Sequence, residues 1–267
     1  MHIENDSVAV VTGAGKGLGR SLALALARRG YRLVLADIDA DTLHALGGLL
    51  QSMNACVDVF VTDVSSTKSV QALACRTYSH FGRVDLLFNN AGVLDTGASW
   101  EHGNDAWQRV LGVNLWGVIH ATQAFVPRML EQPGGAHIIN IASLAGVTCG
   151  PWVAPYTVSK HGVVALSECL HAEMQALGNP IRVSVACPGA ISTDIASELP
   201  AHATHGGELN THLRTLISNA MPPDEAAELI LAGAQAGHFW IFTHAEARAA
   251  AQRRLERMID TPGASAL

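Results

Sequence analysis

The chain has 267 residues, 49% of them apolar and 15% charged, with a net charge of −6. Such apolar content would suit a membrane protein, but no uninterrupted apolar run reaches the roughly 20 residues that a bilayer span needs. The acidic balance, without a basic stripe, argues against nucleic acid as a partner, and the length allows a substantial core in one large α/β domain or two small ones. Met1 to Ser7 is polar and lacks a basic-then-apolar leader, so a cytoplasmic location is expected. Cys56, Cys75, Cys149, Cys169 and Cys187 are odd in number and form no C-x-x-C pair; they read as buried, reduced thiols.

In chain order, strand and helix alternate. Val8–Val11 reads as a strand, and Gly17–Arg29 as a helix with apolar Leu22, Leu24, Ala25 and Leu26, stopped by Gly30. Strands at Arg32–Ala36, Val57–Thr62 and Val84–Asn89 flank helices at Asp41–Leu50 and Thr67–Phe81. A long helix is expected over Asp105–Glu131, bent where Pro127 falls. Then come a strand at His137–Ile141, a second long helix at Tyr156–Leu177, strands at Ile181–Ala186 and Phe239–Thr243, and a solvated helix at His244–Ile259. Short Val/Ile/Leu runs suit strands covered on both faces, and β–α alternation implies a doubly wound parallel sheet. No linker or repeat divides the chain, so residues 1–267 read as one domain.

Thr12-Gly13-Ala14-Gly15-Lys16-Gly17-Leu18-Gly19 lies between the first strand and first helix. A dinucleotide pyrophosphate binds at such a place, where the backbone can approach closely and a helix N-terminus offers N–H groups. Leu18 stands where G-x-G-x-x-G would have its third glycine; the pattern is T-G-x-x-x-G-x-G. Asp37 ends the second strand, where a carboxylate accepts from ribose hydroxyls and repels a 2′-phosphate, favouring NAD over NADP. Tyr156 and Lys160 are four apart on one helix face, where an ammonium would favour the phenolate and bring the phenol toward general acid–base work. Asn114, inside a helix, is mildly unfavourable by propensity and calls for a reason.

The glycine loop, Asn89-Asn90-Ala91-Gly92, Asn114, Ser143, Tyr156-x3-Lys160 and Pro188-Gly189, in this order, resemble the short-chain dehydrogenase/reductase family, in its single-domain NAD(P)-dependent branch. The resemblance runs from about Val8 to Thr193 and implies a Rossmann-type α/β fold of about seven strands. It implies that Tyr156 is the acid–base, Ser143 binds the substrate oxygen, Lys160 also holds the nicotinamide ribose, and Asn114 holds a water linking Lys160 to solvent. It further implies cofactor contacts at Gly13, Gly15, Lys16, Gly17, Leu18 and Gly19, at Asp63 and Val64, at Asn90, Ala91 and Gly92, and at Pro188, Gly189, Ile191 and Thr193, a stretch that meets the nicotinamide carboxamide. Asp63 could equally cap a turn. Lys16 is a contrary sign, because a basic residue there is common in NADP-preferring relatives; it could also be a solvated charge.

The segment at about 194–219 stands where relatives carry a substrate lid. With Gly206-Gly207 and little periodicity it suits a mobile element. Leu94, Ser143, Trp152, Val153 and Ile195 would line the pocket, with Leu199 and Leu213 from the lid, and Arg214 as the lid's candidate for a substrate carboxylate. A bulky, uncharged secondary alcohol or ketone is therefore expected. An NADP-dependent ketoreductase of the 3-oxoacyl type and a nucleotide-sensing regulator without chemistry are the alternatives. His202, His205 and His212 form the densest histidine group but lack a ligand-like spacing, so no metal is expected. Surplus apolar residues on the two long helices (Val113, Trp116 and Ile119; Val163, Leu166 and Leu170) point to a homodimer or homotetramer.

Overall fold

The computed structural model describes residues 7–197, 199 and 207–260. Seven parallel strands form one sheet: β1 (Val8–Thr12), β2 (Arg32–Asp37), β3 (Val57–Val61), β4 (Leu86–Asn89), β5 (His137–Ile141), β6 (Arg182–Ala186) and β7 (Trp240–Ile241), in the order β3-β2-β1-β4-β5-β6-β7. Helices connect them: α1 (Gly17–Arg28), α2 (Ala40–Ser52), α3 (Thr67–Phe81), α4 (Asn104–Leu111), α5 (Gly117–Glu131), α6 (Ala154–Ala176), α7 (Gly207–Ser218), α8 (Pro223–Gln235) and α9 (Ala245–Ile259). Among the described residues, no helix is long and apolar enough to cross a membrane.

The alternation of side chains along each strand explains why both faces carry helices. Ala9, Val11, Leu33, Leu35, Phe88 and Ile139 pack with α1, α2 and α8 through Leu22, Leu26, Leu43, Leu46 and Ile230. Val8, Val10, Val34, Leu87 and Ile138 point the other way, onto Val70 and Leu73 of α3, Phe125 and Met129 of α5, and Leu170 and Met174 of α6. Sequence order reverses between β1 and β4, which leaves a crevice at their carboxyl ends.

Several expectations need correction. The long helix does break, but not at Pro127, which sits inside α5. The interruption is a π-helical turn over Gly112–Trp116, centred on Asn114. Cys56, Cys75, Cys149 and Cys169 are exposed and only Cys187 is buried, all as free thiols. The first four lie on helices or loops rather than on inward-facing strand positions. Part of the expected lid is helical, as the 3₁₀ turn Asp194–Ala196 and as α7, whereas His202, His205 and Gly206 lie outside the described residues. On both sides of this segment the chain is tied together: Ile191 bridges Met221, and Ser192 N–H donates to the Met221 carbonyl at 2.9 Å. Val163 and Leu170 face the core instead of adding to a surplus face; Trp116 remains exposed, and Ile119 and Leu166 are partly buried.

One buried histidine sets a pH limit. His137 on β5 is 1% exposed and its Nε2 lies 2.7 Å from Ser184 Oγ, which itself donates to the His238 carbonyl. The serine proton is thus committed, so the imidazole N–H donates from Nε2. Burial, and secondarily the charge of Arg182, pulls the imidazole from 6.5 to about 3. The unfolded chain therefore takes up a proton below about pH 6.5 that the folded chain refuses until near pH 3. Stability falls as pH drops through this window, by up to about 1.4 kcal/mol per pH unit. Urea unfolding at pH 6.5 and 4.5 should show a loss about 2 kcal/mol larger in the unaltered protein than in His137→Gln, which keeps the Nε2 donor but not the titration. Equal losses would show that His137 is charged in the folded state.

Candidate active site

The glycine loop is built by close backbone approach. Gly13 has φ +62°, and a Cβ there would lie 2.7 Å from the Ala91 Cα. A Cβ on Gly19 would lie 2.0 Å from the Gly13 carbonyl oxygen. The loop is fixed to β4 by Asn90, whose Nδ2 donates to the carbonyls of Thr12 and Gly13 at 2.9 and 3.0 Å. Thr12 Oγ1 accepts from Asn90 N at 3.0 Å and Ala91 N at 3.2 Å. Lys16 precedes α1 without a side-chain cap, and the first turn holds no acidic residue. The leading N–H groups of α1 therefore face the crevice as donors, which fits a pyrophosphate.

At the end of β2, Asp37 accepts from Gly15 N at 2.8 Å and Asp39 N at 3.0 Å. Two bonds leave its carboxylate with further acceptor capacity. Lys16 is an ion-pair partner, its Nζ 2.8 Å from Asp39 Oδ2. The hydrogen bond to Lys16, then that from the Thr42 amide, holds the Asp39 carboxyl down at about 2. Asp63 does cap a turn: its Oδ1 accepts from Ser65 N and Oγ at 2.9 and 2.7 Å, while Val64 is buried beneath Gly117.

Ser143, Tyr156, Lys160 and Asn114 come together at the carboxyl ends of β4 and β5. Ser143 stands just beyond β5 in extended backbone, its Oγ accepting from Ala145 N at 3.1 Å and near enough to the Tyr156 phenol to lower its pKa. Lys160 is 3% exposed, with Nζ donating to the Ile141 carbonyl at 2.9 Å and lying 5.7 Å from the Tyr156 ring centre. Burial brings this ammonium down to about 8. Tyr156 is half-buried, and burial raises its pKa against the lowering effect of Ser143. The expected push toward the phenolate comes from Lys160 together with the positive ring of oxidised NAD; in the protein by itself burial outweighs the lowering effect of Ser143, and the Lys160 ammonium is bonded to the Ile141 carbonyl.

Asn114 finds its reason in the π turn. Its Oδ1 accepts from Val93 N at 2.8 Å, and its Nδ2 donates to the Val93 carbonyl at 2.9 Å and Ser159 Oγ at 3.0 Å. It thereby clamps the Gly92–Val93 backbone against α6 beside Lys160, where a Cβ on Gly92 would be 3.5 Å from Nζ. Sequence reading missed Ser159, whose place one residue before Lys160 was the available signal. It also missed a buried ladder: Asn89 Nδ2 to Asn140 Oδ1 at 2.8 Å, then Asn140 Nδ2 to Ser167 Oγ at 2.9 Å. Polar residues at inward strand positions were the sign of it.

Beyond β6, Pro188 accepts from Leu144 N at 2.7 Å, which joins this turn to the Ser143 loop. Thr193 packs on the glycine loop, its Cγ2 2.9 Å from where a Gly17 Cβ would be, so the turn and the loop face one another. Trp152 adopts φ +66°, costly for a bulky residue; its carbonyl accepts from Gly97 N at 2.9 Å and its ring meets Trp100 edge-on. Leu94, Val153 and Ile195 are partly buried. On α7, Asn210 is buried and accepts from Thr96 Oγ1, while Arg214 donates to the Leu199 carbonyl at 2.6 Å. Arg214 is thus turned into its own segment. Among the described residues, no group of three or more His, Cys, Asp or Glu could hold a metal ion.

Residues 7–204 match the family described as short chain dehydrogenase, and the chain belongs to that family. It is an oxidoreductase acting on CH–OH groups and binds NAD(P). It is 35% identical over 250 residues to the 1-deoxy-11-beta-hydroxypentalenate dehydrogenase of Streptomyces avermitilis, covering 93% of this chain and 88% of that one. The fold is similar to a short-chain dehydrogenase/reductase from Burkholderia phymatum in complex with NAD, at TM-score 0.93 and 36% identity, covering 97% and 96% of the two chains. It also resembles an alcohol dehydrogenase from Thermococcus sibiricus complexed with 5-hydroxy-NADP, at TM-score 0.75 and 26% identity, over 88% and 95%.

Proposed function

We propose that the protein moves a hydride between NAD and a bulky, uncharged secondary alcohol or ketone, within one domain that holds both cofactor and substrate. The observation that carries this reading is the Ser143–Tyr156 hydroxyl pair beside buried Lys160. Bound NAD would supply the hydride acceptor or donor and, when oxidised, a positive ring close to the phenol. Tyr156 Oη takes the alcohol proton in oxidation and returns it in reduction. The Ser143 hydroxyl donates to the same substrate oxygen and steadies its developing charge. Lys160, pinned by Ile141 and with two N–H bonds left, holds the ribose and keeps positive potential under the phenol. Asn114 fixes the Gly92–Val93 backbone that borders them; both its Nδ2 hydrogens are committed, so a water it holds would donate to the second lone pair of Oδ1 or meet the backbone.

NAD is favoured because Asp37 keeps acceptor capacity at the ribose end and Asp39 neutralises Lys16. A 2′-phosphate would meet two carboxylates and one already paired ammonium. The substrate class follows from Leu94, Trp152, Val153, Ile195, Leu199 and Leu213, which are apolar, and from the inward engagement of Arg214. The segment at about 194–219 acts as the lid. The similar Streptomyces protein is, by its name, a dehydrogenase of a hydroxylated compound. Between α5 and α6 an apolar groove lined by Val126, Leu130, Met174 and Leu177 is the surface for a second copy.

Tyr156→Phe should abolish turnover in a screen of secondary alcohols with NAD⁺ while cofactor affinity stays within about twofold, since the hydroxyl acts only on the proton; near-normal turnover would remove Tyr156 as the acid–base. Fluorescence titration should give a tighter Kd for NADH than for NADPH, and Asp37→Ala should narrow the gap. Tighter NADPH binding by the unaltered protein would restore Lys16 as the deciding residue. Light scattering at micromolar concentration should give at least a dimer, and Leu177→Arg should lower the mass; a monomeric mass throughout would sink the interface.

A further inference from the structure

The turn after β6 is held by a residue that belongs to none of the motifs above. Cys187 N–H donates to the Ile241 carbonyl at 2.8 Å, and the Pro188 carbonyl accepts from Leu144. The next amide, Gly189 N–H, donates to Nδ1 of His244 at 3.1 Å. Thr243 Oγ1 lies 2.8 Å from that same nitrogen. An amide N–H can only donate, so Nδ1 carries the lone pair and the neutral ring has its proton on Nε2. His244 is the N-cap residue of α9 but offers no side-chain bond to that helix. Its acceptor is directed at the turn instead.

The ring also lies directly on residue 189. A Cβ there would be 2.9 Å from both Cγ and Nδ1 of His244. The missing side chain at Gly189 is therefore the space that the imidazole occupies. Two residues on, Ile191 is already paired with Met221, and Thr193 reaches the glycine loop. Between the Leu144 bond and the Met221 bridge, His244 supplies the one side-chain hydrogen bond among the described residues that holds the Pro188–Gly189 backbone.

We propose that His244 is a positioning residue for the nicotinamide end of the cofactor, anchoring the Pro188–Gly189 turn to the start of α9. This rests on the cofactor reading above. Without the acceptor, the turn must be ordered when the dinucleotide binds, and that entropic cost falls on the nicotinamide half alone. The adenine half is held on the far side of the crevice by the glycine loop and Asp37.

Two variants separate acceptor from ring. His244→Phe keeps a ring over Gly189 and removes the acceptor; His244→Asn puts Oδ1 close to the position of Nδ1 and gives up most of the ring. Kd values for NAD⁺ and for ADP-ribose, which lacks nicotinamide, should be measured by calorimetry on each folded protein. His244→Phe should weaken NAD⁺ about tenfold and change ADP-ribose by less than twofold, whereas His244→Asn should hold NAD⁺ within about threefold of the unaltered protein. Equal weakening of both ligands would make His244 merely structural and overturn the proposal. Unchanged NAD⁺ affinity in the Phe variant, or a larger loss in Asn than in Phe, would overturn it as well. Failure of the unaltered protein to bind ADP-ribose would instead strike the cofactor reading, and this proposal with it.

Discussion

A lysine ammonium sits almost fully buried at the centre of this molecule, and much of the surrounding structure exists to keep it there. Lys160 is 3% exposed and is brought down to about 8 from 10.5. The folded value lies below the unfolded one, so holding the charge costs stability, on the order of 3 kcal/mol below pH 8, a cost that disappears as pH rises through 10.5. A buried charge kept at such a cost is poor design for stability and calls for another reason. Its acceptor, the Ile141 carbonyl, ends β5, so the ammonium's place is set by the sheet itself.

Around it, buried polar bonds tie each neighbouring element to the next. Asn114 joins the loop after β4 to Ser159 on α6. Asn89, Asn140 and Ser167 run from β4 through β5 into the same helix. Thr12 and Asn90 fasten β4 to the glycine loop. In a low-dielectric interior such bonds are costly to leave unmade, so they specify relative positions more sharply than apolar contact can. The π turn at Gly112–Trp116 belongs to this group, because it redirects the helix so that the Asn114 amide meets Val93.

Most of the sheet was legible because its strands are short apolar runs separated by helix-forming stretches of ordinary length. The quartet and the glycine loop were legible because their spacing is fixed by the elements that carry them. What escaped was decided by tertiary contact. Pro127 has the stronger local preference for a break, but Asn114 has the partners that stabilise one. The thiols at Cys56, Cys75 and Cys169 each have an apolar neighbour in sequence, yet they and Cys149 have solvent beside them in space. The balance at the Tyr156 phenol depends on burial, and the carbonyl that holds Lys160 lies on β5 rather than on the helix the two residues share. His244 carried no motif at all, since its meaning arises only where α9 begins beside β6.

The bridge between Ile191 and Met221 has a consequence for how such a protein can change. It brings the two ends of the intervening excursion to one point on the edge of the site, closed by the Ser192–Met221 bond. Whatever lies between those ends can lengthen, shorten or be exchanged at little entropic cost, because closure grows only slowly with loop length and no strand need shift. In the reading proposed above, proton chemistry stays on Ser143 beyond β5 and on Tyr156 and Lys160 of α6, outside this excursion, and substrate selectivity falls to the exchangeable segment. In that reading, grafting a foreign segment between residues 194 and 220 changes the substrate range while Thr193 keeps its place on the glycine loop.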